Sequence, residues 1–200
     1  MSQAKSRETR RLEIVRAAWE LVAEHGVDAV RIQDIASSVG TSTGTIHYYF
    51  RDRADILAAA LEFSVKRFAR RQAGQVPDEV PFLERIYALI DTQLVGEGTQ
   101  QEWAVWIEFW SEATRQQRFA DLNREVYTQW RALVADQVRG GQEVGEFPDD
   151  VVPEDFATDL IALMDGLGIQ TTLDGPGMSP GYMRERLRTY AQRQLAGVCT

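Results

Sequence analysis

Cysteine is almost missing from this chain: Cys199, beside the last residue, is the only one in 200. No disulfide can form within one chain, so the small disulfide-stapled folds are excluded, and a reducing, cytoplasmic setting is the default expectation. Cys199 itself reads as a thiol without a role. Histidine is nearly as scarce, with only His25 and His47. One cysteine and two histidines leave nothing resembling a zinc site, and no phosphate-binding loop with its lysine is present. No metal or cofactor is expected. No apolar run approaches the ~18 residues of a membrane span, and the opening residues lack the apolar segment of a secretion signal.

One spelling suggests an enzyme. Gly40-Thr41-Ser42-Thr43-Gly44 fits G-x-S-x-G, the nucleophile elbow of hydrolases. That elbow follows a strand and needs a histidine later in the chain. Here a helical pattern precedes it and no histidine lies beyond His47. Without a base Ser42 is a poor nucleophile, so the chain is not expected to be an enzyme. Strand-type alternation and internal repeats are also lacking, and the expected class is all-α.

What is present is ordinary in amount and uneven in distribution. Hydrophobic residues make up 44% and charged residues 26%, as in a globular domain. The net charge is −8, but residues 1–74 hold 12 Lys+Arg against 9 Asp+Glu, a net of +3, and the remainder 10 against 21, a net of −11. Lys5, Arg7, Arg10, Arg11 and Arg16 form a basic arm at the start. The asymmetry suits a part that faces nucleic acid carried by an acidic part that does not.

The stretch from Val30 to Phe50 organises the chain. Ile32, Ile35, Ala36 and Val39 repeat at helical spacing, and Gly40 follows where a helix end accepts positive φ. Thr41 or Ser42 can then cap a second short helix, whose apolar face is Ile46, Tyr49 and Phe50. Two such helices around a Gly-containing turn have the form of a helix-turn-helix or of an ordinary αα-hairpin. The remaining face of the second helix carries Thr43, Thr45, His47 and Tyr48 and no carboxylate, so it can approach phosphates and base edges without repulsion. The backbone N–H groups near Ser42–Gly44 suit a phosphate, and Gly44 permits close approach.

This stretch resembles the DNA-binding domain of the TetR family of bacterial regulators. The resemblance rests on Ile35-Ala36, Val39-Gly40, Ser42, Gly44-Thr45-Ile46, Tyr49, Phe50, Arg53 and Ile56-Leu57. His47 stands where the family usually has Tyr, Thr43 and Arg53 where it often has Lys, and Arg31 where it usually has Thr or Ser. The DNA contacts expected are Arg31, Ser42, Thr43, Gly44, Thr45, His47, Tyr48, Tyr49 and Arg53. Thr43, Thr45 and Tyr48 are expected to read bases; Ser42, His47, Tyr49 and Arg53 to hold phosphates. The resemblance implies a DNA-binding domain over 1–52, a ligand-binding and dimerisation domain over 53–200, and a connecting helix over 53–73.

Elsewhere residues 1–8 read as disordered and a first helix as 10–24, closed by His25 and Gly26. Asp52 caps the connecting helix. The stretch 74–78 is the clearest boundary. Further helices are expected over 81–94, 101–116, 119–140, 153–172 and 180–195, with Gly96-Glu97-Gly98, the loop from Gly140-Gly141 to Asp150, and Asp174–Gly177 as breaks.

Four of the five tryptophans fall within 103–130. Trp103, Trp106 and Trp110 share a helical face with Ile107, which reads as core or as one wall of a ligand pocket. The segment 103–110, with Trp130, Gly145-Glu146-Phe147 and Asp165-Gly166-Leu167, resembles the effector domain of the BetI-like branch of the family, named for a choline-responsive repressor. The expected ligand residues are Trp103, Trp106, Trp110, Tyr127, Trp130 and Met164. Rings beside Glu108 or Asp165 would hold an organic cation, or rings alone an apolar or aromatic compound. A stripe of Phe156, Leu160, Ile161, Met164, Leu167 and Gly168, with Met183, Leu187, Tyr190 and Ala191, reads either as internal core or, by the resemblance, as a dimer interface of helices 8 and 9.

The reading is a homodimeric regulator, a repressor released from double-stranded operator DNA by a small molecule, with no membrane partner. Two alternatives stay open: an activator or ligand-independent regulator, and a structural helical dimer that binds no DNA.

Overall fold

The computed structural model describes residues 2–73, 79–92 and 99–196, and among these every regular element is an α-helix. They are α1 (Ser2–His25), α2 (Ile32–Ser38), α3 (Thr43–Tyr49), α4 (Arg53–Ala73), α5 (Phe82–Asp91), α6 (Thr99–Ala113), α7 (Gln117–Glu143), α8 (Pro153–Thr172) and α9 (Pro180–Leu195). The all-α expectation holds. None of the described helices is long and apolar enough to cross a membrane. The expected breaks at 74–78 and 96–98, and Cys199, lie outside the described residues. Packing divides the chain into two units, Met1–Arg67 with Gln100–Asn123, and Phe68–Thr99 with Arg124–Thr200.

In the first unit Ile14, Val15, Ala18 and Val22 of α1 are buried, as are Ile35 and Ala36 of α2, Ile46 of α3, and Phe50. Helices of seven residues are too short to persist alone, and burying each large apolar side chain contributes about 1.5–3 kcal/mol. Caps define their ends. The Asp34 carboxylate accepts the Arg31 N–H at 3.0 Å, Gly40 takes φ +63° after α2, and Ser42 Oγ accepts the Thr45 N–H at 3.1 Å. Asp52 Oδ1 accepts the Asp55 N–H at 2.8 Å at the start of α4. Helix α1 ends at His25, and Gly26 follows at φ +80°.

Helix α1 begins at Ser2, so the expectation of disorder over 1–8 is corrected for residues 2–8. Gln3, Ala4, Lys5, Arg7 and Glu8 are good helix formers, and no glycine or proline separates them from the rest of the helix. Helix α6 stops at Ala113 rather than at 116, where the chain tightens into a turn: the Arg115 N–H bonds the Glu112 carbonyl, three residues back, at 3.0 Å.

In the second unit the bounds of α8 and α9 are those expected, set by Pro153 and by Ser179-Pro180. Helix α7 is the larger correction, since it runs through Gly140 and Gly141 to Glu143. A Cβ at Gly140 would collide with the Phe82 ring, and one at Gly141 with the Phe147 ring. The glycines are therefore places where rings lie on a helix backbone, not helix breakers. The Glu146 carboxylate then accepts the N–H groups of Phe82 at 2.7 Å and Leu83 at 2.8 Å, capping α5. Phe156, Leu160, Ile161, Met164, Gly168, Met183, Leu187 and Ala191 are buried within this unit. Most of the stripe that could have faced a second copy is thus the chain's own core, with α9 packed on α8 and α5.

Gly141→Ala is expected to destabilise the protein by about 1–3 kcal/mol through overpacking against Phe147, although alanine is the better helix former. A urea titration showing unchanged or raised stability would contradict this account of α7.

Candidate DNA-binding and effector sites

The α3 surface has the character expected of it. Thr43, Gly44, His47 and Tyr48 are exposed, Thr45 and Tyr49 are half-buried, and Tyr48 keeps 66% of its surface in solvent. Thr45 Oγ1 lies 3.0 Å from Ser42 Oγ, so these two hydroxyls are engaged in the cap. Arg31 is exposed at the α2 N-cap.

Arg53 is placed differently from its expected role. Its Nε donates to the Val30 carbonyl at 2.6 Å and a terminal nitrogen donates to the Val27 carbonyl. The guanidinium thus pins the start of α4 to the turn that delivers α2. Arg10 donates to the Val39 carbonyl at 3.1 Å, at the other end of α2. Two further arginines of the basic arm reach rings at the C-terminal end of α3. Arg7 lies 5.3 Å from the Tyr48 ring centre and Arg11 4.9 Å from that of Phe50. Their i, i+4 spacing on a continuous helix is the signal in the sequence that points to a shared face.

In the first unit Trp103, Trp106 and Trp110 are brought together on α6, with Trp106–Trp110 at 5.9 Å and Trp103–Trp110 at 6.3 Å between ring centres. The residue before Trp103 is Glu102, only 5% exposed. Arg67 of α4 donates to it at 2.6 Å and lies 5.1 Å from the Trp19 ring of α1. This buried tie between three helices has no signature in the sequence.

In the second unit the Tyr127 hydroxyl donates to Asp165 Oδ2 at 2.6 Å, and Trp130 lies 6.2 Å from Tyr127 between ring centres. Burial pushes the Asp165 carboxyl up to about 6, against the Tyr127 hydrogen bond and the charge of Arg131, which both pull it down. Arg131 itself lies 5.7 Å from the Tyr127 ring centre. Trp130 and Met164 are buried and Tyr127 is half-buried. An electron-rich ring pair beside a carboxylate is the chemistry that binds an organic cation. Among the described residues no His/Cys/Asp/Glu group is arranged to hold a metal ion.

A family model described as bacterial regulatory proteins of the tetR family matches residues 14–60, and one described as the BetI-type transcriptional repressor C-terminal region matches 82–196. The HTH-type transcriptional regulator BetI of Vibrio campbellii is 26% identical over 192 residues, covering 94% of this chain and 93% of its own. The HTH-type transcriptional regulator PksA of Bacillus subtilis is 24% identical over 194 residues, covering 96% and 91%. A transcriptional regulator from Saccharomonospora viridis, solved in complex with choline, is similar at a TM-score of 0.88 and 38% identity, covering 94% of this chain and 98% of that one. The chain belongs to the TetR family, with a BetI-type C-terminal region, and is a DNA-binding, ligand-responsive transcriptional repressor rather than an enzyme.

Proposed function

We propose that this repressor is released from its operator by choline or a closely related quaternary ammonium ion. The observation that carries the reading is the Tyr127–Asp165 pair beside Trp130, taken with the 38% identical regulator that was solved with choline. A quaternary ammonium has no N–H to donate, so ring faces and a nearby carboxylate charge are what select it. Trp103, Trp106 and Trp110 are a second aromatic group, to be tested by its own substitutions.

The active form is a homodimer through α8 and α9. Beyond the residues that α8 and α9 bury in their own core, Leu163, Leu167, Tyr182, Thr189 and Tyr190 line an open, mostly apolar groove together with Arg186, Arg193 and Gln194. A dimer is what binding to successive major grooves requires, since that takes two α3 helices about 34–36 Å apart. Tyr48, Thr43 and Thr45 then read bases; Arg31, Ser42, His47 and Tyr49 hold phosphates.

Release is a population shift carried by α4. Tyr127 and Trp130 sit on α7, whose first turn bears Arg118, paired with Glu62 of α4. The tie of Arg67 to Glu102 holds α4 to α6. A shift in either helix reaches α4 and, through Arg53, the turn before α2.

Binding to the DNA upstream of the protein's own gene, followed by fluorescence anisotropy, should be tight and fall steeply with salt. It should saturate at two chains per half-site pair, be lost in Tyr48→Ala, and weaken on adding choline. Salt-independent binding, or binding indifferent to choline, would overturn the respective part of this reading.

Choline affinity, read by tryptophan fluorescence, should fall as pH drops through about 6, because Asp165 then takes up a proton and loses its charge. The same group sets a stability trend of opposite direction. Its stabilising contribution is full below 3.8 and is lost as pH rises through about 6, on the order of 3 kcal/mol. Asp165→Asn should therefore bind choline weakly at every pH and be relatively more stable at pH 8. A pH-independent choline affinity in the wild type would exclude Asp165 as the counter-charge.

In Glu102→Gln choline should still bind, but its effect on DNA affinity should shrink about tenfold, a loss of about 1.4 kcal/mol of coupling. An unchanged effect in a folded variant would remove Glu102 from the path.

A further inference from the structure

The proposed DNA contacts of α2 and α3 lie between Arg31 and Tyr49, and the family match begins only at residue 14. Helix α1 begins at Ser2 and carries Arg7 and Arg11 before that point. The two are i, i+4 and share a helix face. Each meets a ring at the C-terminal end of the recognition helix: Arg7 the exposed Tyr48 at 5.3 Å, Arg11 the buried Phe50 at 4.9 Å. Tyr48 is itself braced at a right angle by Tyr49, 5.0 Å away between ring centres.

Their neighbours on α1 are otherwise engaged. Arg10 pairs with Glu13 at 2.6 Å and Arg16 with Glu20 at 3.0 Å. Among the described residues no carboxylate pairs with Arg7 or Arg11, and both residues are exposed. Like charges four apart on a helix repel by a few tenths of a kcal/mol, which a polyanion beside them would reverse. A guanidinium laid on a ring keeps its in-plane N–H donors free, and that planar fork matches a phosphate. The ring also restrains a long side chain, so less conformational freedom is given up on binding.

We propose that Arg7 and Arg11 form a second DNA-contact element, in which α1 grips backbone phosphates of duplex DNA beside the groove that α3 enters. Arg7 also orients Tyr48 by stacking on it. The element lies upstream of the residues that the family model matches and rests on the DNA-binding reading of α3. Its phosphate contacts add affinity for any duplex and carry no sequence preference of their own.

The test uses the full-length protein with two short duplexes, one from the DNA upstream of its own gene and one of random sequence. For Arg7→Gln and Arg11→Gln the slope of log K against log salt should flatten by roughly 0.9 for each phosphate that a bound chain no longer neutralises. For Arg11→Gln the drop in affinity should be equal on both duplexes; for Arg7→Gln it should be larger on the duplex from upstream of the gene, because Tyr48 also loses its stacking partner. Arg16→Gln, which removes a charge engaged with Glu20, should keep the wild-type slope. Arg7→Lys should keep the slope but bind several-fold more weakly, because an ammonium does not stack on Tyr48 as a guanidinium does. Circular dichroism and a melting curve check that each variant is folded. Wild-type slopes in folded Arg7→Gln and Arg11→Gln would overturn the assignment, as would an equal flattening in Arg16→Gln. Absence of salt-dependent binding by the wild type on either duplex would overturn DNA binding itself, and this element with it.

Discussion

The face proposed to read DNA is built on two seven-residue helices, and helices of that length do not persist alone. Most of the first unit answers that constraint. Ile35, Ile46 and Phe50 are buried almost completely, at about 1.5–3 kcal/mol for each such side chain. The hydrogen bonds of Arg53 to the carbonyls of Val30 and Val27 and of Arg10 to that of Val39 are made by charged donors, at about 1.5–3 kcal/mol each before the cost of ordering long side chains. Their importance is directional. They fix where α2 enters and leaves, and so where α3 points.

What is legible in the sequence follows from how local the determining physics is. The ends of α8 and α9 are readable because Pro153 and Ser179-Pro180 act within one turn. The C-terminal end of α7 is not, because Gly140-Gly141 signals a break by propensity alone. The reason these glycines sit inside a helix is the rings of Phe82 and Phe147, which come from other parts of the chain. Disorder over 1–8 is an expectation drawn from polarity, and polarity does not separate a solvated helix from a coil.

The site divides in the same way. The face of α3 is legible from composition, since hydroxyls, an imidazole and a phenol without an acid are a local property. Arg53 matches a motif position that suggests a phosphate contact, yet its donors are turned to backbone carbonyls. The α8–α9 stripe is a real periodicity, but periodicity cannot say whether the surface that covers it belongs to the same chain or to a second one. Most of it is covered within the chain. The pairing of Tyr127 with Asp165 spans 38 positions and has no pattern in sequence.

Helix α4 is held by charges towards both ends rather than by apolar packing alone. At one end Arg53 grips the turn before α2; towards the other Arg67 is paired with the buried Glu102 and lies on Trp19. A buried ion pair is a poor source of stability, because desolvation consumes most of its Coulombic gain, and an apolar replacement of similar volume is often neutral or better. An ion pair differs from apolar packing in being directional: it defines one relative position of two helices and weakens steeply when they slide. Glu102 adjoins Trp103 on α6, so the carboxylate that holds α4 and the first ring of the α6 tryptophan group share one helical turn. A directional joint of this kind suits a repressor, in which a few kcal/mol of ligand binding have to become a change in affinity for DNA.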